Sequence, residues 1–119
     1  MGITTIVAKI SSVEEPQKQI VEKFMVDTGA AYTVIPYESA KKLGLKAVKT
    51  QEFVLADGTS VKRKLGHAFV EIDGDRAPST VVIGEKGDSA LIGVVTLENM
   101  GLMVDPFKRK LRPMRLILS

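Results

Sequence analysis

The stretch FMVDTGAAYTVIP, residues 24–36, places one carboxylate, Asp27, at the end of a run that reads as a buried strand. Burying an ionised carboxylate is costly unless it is paired or hydrogen-bonded, so a structure or a reaction must need the group there. A positioned Asp can act as general base or general acid. Other chemistries are closed to this chain. It has no cysteine and one histidine, which removes disulfides and thiol nucleophiles and argues against a zinc site. His67 stands between Gly66 and Ala68 with no clustered acids and reads as a strand residue. Asp73-Gly-Asp75 begins like a calcium loop, but RAPST supplies no further acidic ligands, so it reads as a turn. The triplet Asp27-Thr28-Gly29 alone is weak evidence, expected by chance in roughly 2% of chains this long. Taken alone it is an ordinary strand end, with Asp opening a turn and Gly supplying an unusual dihedral.

The elements that must position Asp27 are short. ITTIVAKI and QIVEKFMV are rich in β-branched residues and predict two antiparallel strands joined by a turn near Pro16. PYESAKKLGL predicts a short helix, with Pro36 in the first turn and Gly44 just past the end. In QEFVLADGTSVKRKLGHAFVEI, Asp57-Gly58 predicts a hairpin with a type I′ turn. Its arm alternates Val61, Arg63 and Leu65 with Ser60, Lys62 and Lys64, so only one face can be covered and the hairpin should project over something. A second hairpin is expected around DGDRAP, then the apolar strand end Leu91-Ile92-Gly93, a short helix, and one or two strands from the basic-then-apolar tail FKRKLRPMRLILS. AKKLGL in the first half answers LENMGL in the second, a suggestive internal echo with few identities.

With 119 residues and no linker or low-complexity tract, the chain reads as a single domain, residues 1–119. Its 45% hydrophobic and 26% charged residues are those of a soluble globular protein. No apolar run of membrane-spanning length occurs, and the start lacks a secretory pattern, so a cytoplasmic location is expected. The net charge of +3 is a weak hint of acidic partners.

Taken together, the apolar lead-in to Asp27-Thr28-Gly29, the following AAYTVIP, the Asp57-Gly58 hairpin and the Leu91-Ile92-Gly93 strand end resemble the retropepsin-like aspartic proteases, in particular their cellular archaeal and bacterial members. The resemblance spans roughly residues 3–105. It implies a mainly β, closed barrel-like domain with a flap hairpin and one or two short helices. It also implies an aspartic endopeptidase working as a homodimer on peptide or protein substrates, with no metal or organic cofactor. In such chemistry two carboxyls about 3 Å apart share one proton and titrate as a pair. One Asp27 from each subunit, meeting on a twofold axis, would supply them. By the same resemblance, Thr28 bonds across the axis and Gly29 offers its carbonyl to substrate. Ala30 continues the motif, Ala56, Asp57 and Gly58 form the flap, and Val34, Leu91 and Ile92 line the cleft wall.

Two departures bear on activity. Retroviral members carry an Asp after the Asp-Thr-Gly-Ala motif, paired with an Arg after the Ile-Gly strand; here Ala31 and Val94 stand at those positions. The tail beyond Asp105 is also longer, leaving residues 111–118 to make a different interface. Ala31 keeps open a second reading, a catalytically weak peptide-binding dimer of the same fold. A nucleic-acid-binding reading rests on VKRK and FKRKLRPMR. It is the least favoured, since the aromatics are only 5% and no stacking platform is visible.

Overall fold

A computed structural model describes residues 3–118. Strand β1 (Thr4–Ser12) pairs antiparallel with β2 (Gln19–Val26), in register from Thr4 opposite Val26 to Ser11 opposite Gln19. The turn between them is fixed locally: the Ser12 hydroxyl accepts the Glu15 N–H at 3.1 Å, and Lys18 N–H bonds to the Glu15 carbonyl at 2.8 Å. After the Asp27 loop come β3 (Thr33–Ile35) and helix α1 (Tyr37–Leu43). Pro36 lies one position earlier than expected, capping α1 from outside at ψ 153°, and Gly44 ends the helix at φ +64°. That left-handed conformation costs glycine little and other residues more.

Strands β4 (Lys49–Val54) and β5 (Ser60–Ile72) form the projecting hairpin, and its turn differs from expectation. Only Gly58 has positive φ (+87°), and Gly58 N–H bonds to the Leu55 carbonyl at 2.9 Å. Leu55 and Thr59 close the loop, so three residues lie between them: a turn followed by a glycine bulge rather than a two-residue type I′ turn. The Asp57 carboxylate accepts both the Thr59 N–H (3.0 Å) and its hydroxyl (2.6 Å), which secures the alternative. The type I′ geometry occurs instead at Asp73 (φ +53°) and Gly74 (φ +82°), between β5 and β6 (Asp75–Ile83). The chain continues through β7 (Leu91–Ile92), helix α2 (Val94–Asn99), β8 (Leu102–Asp105) and β9 (Lys110–Pro113). The tail contributes one strand, β9, which pairs only with β8 in a separate two-stranded sheet.

The large sheet runs β1-β2-β7-β3-β6-β5-β4, and β1 also pairs with β5. Six strands therefore close on themselves and β4 is appended outside, giving the mainly β, barrel-like fold with two short helices that the sequence predicts. Phe24, Ile10, Ile35, Val70, Val81 and Ile92 are fully buried inside it. No helix among the described residues is long and apolar enough to cross a membrane.

The internal echo is built into the strand pairing. β2 runs parallel to β7 with Val26 beside Ile92, and β3 runs parallel to β6 with Ile35 beside Ile83. Exchanging β2 with β6 and β3 with β7 turns the first pairing into the second, and the β3–β7 pair, Val34 opposite Leu91, maps onto itself. Val26 to Ile83, Ile35 to Ile92 and Gly44 to Gly101 are each the same 57 positions apart (26 to 83, 35 to 92, 44 to 101). Gly101, after α2, has φ +65°, matching Gly44 after α1. The echo thus keeps a constant spacing through this part of the chain, and AKKLGL and LENMGL are conformational equivalents.

Candidate active site

Asp27 sits where β2 ends, and its position is set by the crossing of the two halves. Its N–H bonds to the Ile92 carbonyl at 3.0 Å. The equivalent bond in the other half joins Gly84 N–H to the Ile35 carbonyl at 2.8 Å. Beyond Asp27, Val94 and Val95 at the start of α2 donate N–H groups to the carbonyls of Ala30 and Ala31, both at 2.9 Å. This interlock demands a glycine at 93: a Cβ built there would lie 2.5 Å from the Tyr32 carbonyl carbon. The Gly93 N–H is in turn held by the Thr33 hydroxyl at 3.1 Å. Thr33 bonds to the Thr96 hydroxyl (2.6 Å), which bonds to Ser79 (2.8 Å). These three buried hydroxyls tie β3, β6 and α2 together directly behind the loop.

The carboxylate itself is half-buried within the chain, more open than a buried strand end suggests. Asp27 Oδ1 accepts the Gly29 N–H at 2.9 Å, a short bond that fixes the carboxyl plane. A Cβ on Gly29 would stand 3.2 Å from that same oxygen, so a side chain there would crowd the acid.

Asp27 faces two depressions. One, of about 600 Å³, runs beneath the β4–β5 hairpin and is lined by Asp27, Gly29, Ala30, Ala31, Val34, Leu91, Ala56 and Val82, with Tyr32 and Phe53 across it. The rings of Tyr32 and Phe53 meet edge to face, 6.1 Å between centroids. The second depression, of about 720 Å³, lies on the other side of the loop. Asp27 and Thr28 share its lining with Ile3, Met25, Val94, Leu102, Met103 and Met114, mostly apolar residues.

The cleft therefore brings together Asp27, Gly29, Ala30, Val34, Ala56 and Leu91. Thr28 faces the second depression instead. Asp57 and Gly58 are exposed at the hairpin tip and do not line the cleft within the single chain. Ile92 corrects the expectation of a cleft-wall residue. Its neighbour Leu91 points to the cleft, but Ile92, on the opposite face of β7, has no exposed surface and belongs to the core. Ala31 lines the cleft and Val94 the second depression, so the apolar pair in place of an ion pair is split between the two.

Two charged cleft residues escaped the sequence reading. Arg63 Nε donates to Asp88 Oδ2 at 2.7 Å and Nη2 to Oδ1 at 3.0 Å. The Arg63 hydrogen bonds hold the Asp88 carboxyl below its usual range, and Asp88 in turn raises the pKa of the guanidinium. The alternation of Arg63 with Val61 and Leu65 was the available signal: it puts the cation on the covered face of β5. Asp88, twenty-five positions away, left no such trace. Lys62 and Lys64 are exposed on the outer face of the same strand, and Lys108, Arg109 and Lys110 on the β8–β9 turn. No group of three or more His, Asp or Glu suited to a metal ion occurs among the described residues.

A closed β fold whose halves cross behind a strand-end Asp-Thr-Gly loop, with a hairpin over the resulting cleft, defines a retropepsin-like aspartyl protease domain. The family of gag-polyprotein putative aspartyl proteases matches residues 17–99, and the chain belongs to that family. No curated protein matches it.

Proposed function

We propose that the chain is an aspartic endopeptidase that works as a homodimer, each copy donating Asp27 to one shared site. The observation that carries this reading is the second half's equivalent loop. Its counterpart of Asp27 is Gly84, which makes the matching backbone bond but brings no acid. The cleft's other carboxylate, Asp88, is committed to Arg63. Glu98, the other carboxylate near Asp27, lines the second depression and not the cleft, so a second reactive acid for the cleft is drawn from another copy. The apolar depression beside Asp27 and Thr28 is a suitable surface for a second copy.

In the paired site the ionised Asp27 takes a proton from a water molecule as the water oxygen attacks the scissile carbonyl carbon. The protonated Asp27 of the other copy gives its proton to the carbonyl oxygen. Collapse of the tetrahedral diol breaks the C–N bond: the proton gained by the first carboxyl passes to the leaving amine, and a diol hydroxyl returns its proton to the other copy's Asp27, restoring the singly protonated pair. Gly29 serves as a bare backbone approach for the peptide, and Ala30, Val34 and Leu91 as apolar wall. Ala56, Asp57 and Gly58 close over the bound chain and exclude water.

Hydrolysis of a fluorogenic peptide library between pH 3 and pH 7, with Asp27→Asn as control, tests the reading. Cleavage that vanishes in the variant supports it, and cleavage that survives removes Asp27 from the mechanism. Ala31 sustains one alternative, a dimer that holds peptides without cutting them, since the cleft lacks a charged anchor at that position. Peptide binding without hydrolysis in the wild-type chain would favour that alternative.

A further inference from the structure

We propose that Arg63 and Asp88 form a latch that sets how far the β4–β5 hairpin stands above the cleft. Its kinetic consequence rests on the peptidase reading above; its mechanical one does not. The hairpin tip is exposed and its outer face is polar, so its inner face decides where it rests. On β4 that face offers Phe53, packed edge to face with Tyr32. On β5 it offers Arg63, whose guanidinium meets Asp88 fork to fork, the geometry in which arginine and carboxylate bind most firmly.

Both ends of the contact are braced. Arg63 Nη1 also donates to the Lys62 carbonyl at 2.9 Å and lies 3.9 Å from Glu85 Oε1. Asp88 Oδ2 also accepts the Glu85 N–H at 2.8 Å, and Asp88 N–H returns to the Glu85 carbonyl at 2.9 Å. The carboxylate is thus part of the turn that leads into β7 and Leu91. Side-chain exposures of 21% and 22% shield the pair from water, which distinguishes it from a surface ion pair. No hydrogen bond joins it to Asp27. Arg63 and Asp88 are accordingly positioning residues: they fix the gap a peptide must enter and act equally on bound substrate and transition state.

Hydrogen exchange of the full chain without peptide tests the latch directly, comparing wild type with Asp88→Asn, Arg63→Lys and the exchanged pair Arg63→Asp/Asp88→Arg. In Asp88→Asn and Arg63→Lys, amides of residues 50–65 should exchange about tenfold faster, with a clearly smaller acceleration in those of β1, β2 and β6. The exchanged pair should recover most of the protection. With a cleaved peptide, Asp88→Asn should raise KM about threefold or more at nearly constant kcat. Unchanged exchange in the hairpin, or acceleration spread evenly over the whole sheet, would overturn the latch. A wild-type chain that cleaves nothing defeats the peptidase reading alone, because the exchange comparison needs no activity.

Discussion

At the scale of single residues, the proposed chemistry and the pH-dependent stability rest on different carboxylates of one cleft. Replacing Asp27 by Asn keeps the side chain's shape and its acceptor for Gly29 N–H but removes the proton-carrying group. Peptide hydrolysis should fall by about 10³-fold or more while the thermal midpoint stays within a few degrees of wild type, measured by initial rates and calorimetry. Asp88 predicts a pH effect of opposite character. Its folded-state pKa lies below the ordinary 3.8, chiefly through the hydrogen bonds from Arg63. A depressed carboxyl contributes stability that is fully present above the ordinary value and is lost as pH falls through the lower, folded one. The gap in urea midpoint between wild type and Asp88→Asn should therefore be constant from neutrality to about pH 5 and shrink at more acid pH. A gap that stays constant down to pH 2 would show that Arg63 does not hold this carboxyl.

At the scale of elements, the site depends on backbone crossing backbone, and the buried hydroxyls police that crossing. Thr33→Val removes the acceptor for Gly93 N–H and a partner of Thr96 while nearly preserving volume. The loss should be about 1–3 kcal/mol in urea unfolding, the cost of leaving buried polar groups unpaired. Gly93→Ala should be worse, since the methyl meets the Tyr32 carbonyl and no flexible side chain can yield. Both effects belong to stability, and equal urea midpoints for wild type and Thr33→Val would remove the hydroxyl network from this account.

Much of this level was legible in the sequence. β-branched residues marked β1 and β2, alternation marked the covered face of β5, and Gly44 marked the end of α1, because strand propensity, burial on one face and a left-handed helix stop leave local traces. The Asp57-Gly58 turn was misjudged because Asp-Gly suits a glycine bulge as well as a type I′ turn, and the Thr59 contacts decide between them. Ile92 was misplaced because a strand of two residues gives no alternation from which to read its faces. The Arg63–Asp88 contact joins distant positions through a fold, and nothing local encodes it.

At the scale of the whole molecule, the proposed mechanism, with one acid per chain, would make activity a property of assembly. Specific activity should rise with protein concentration and saturate, and sedimentation equilibrium should show the dimer forming over the same range. Constant specific activity in a chain that sediments as a monomer would mean that the two acids do not come from two copies. The apolar rim of the second depression offers the next probe. Met103→Lys should shift both curves to higher concentration by about tenfold or more while leaving the folded monomer intact.

The crossed pairing of the two halves has a consequence for how the chain can be divided. β2 finds its parallel partner in β7 and β3 finds its own in β6, so each half completes the sheet of the other. Pieces severed at the exposed Asp57 tip would each lack a neighbour for a strand that is buried in the intact fold. Separately they should stay unstructured; mixed, they should reconstitute, making the hairpin tip a natural place to split this protein into complementing fragments.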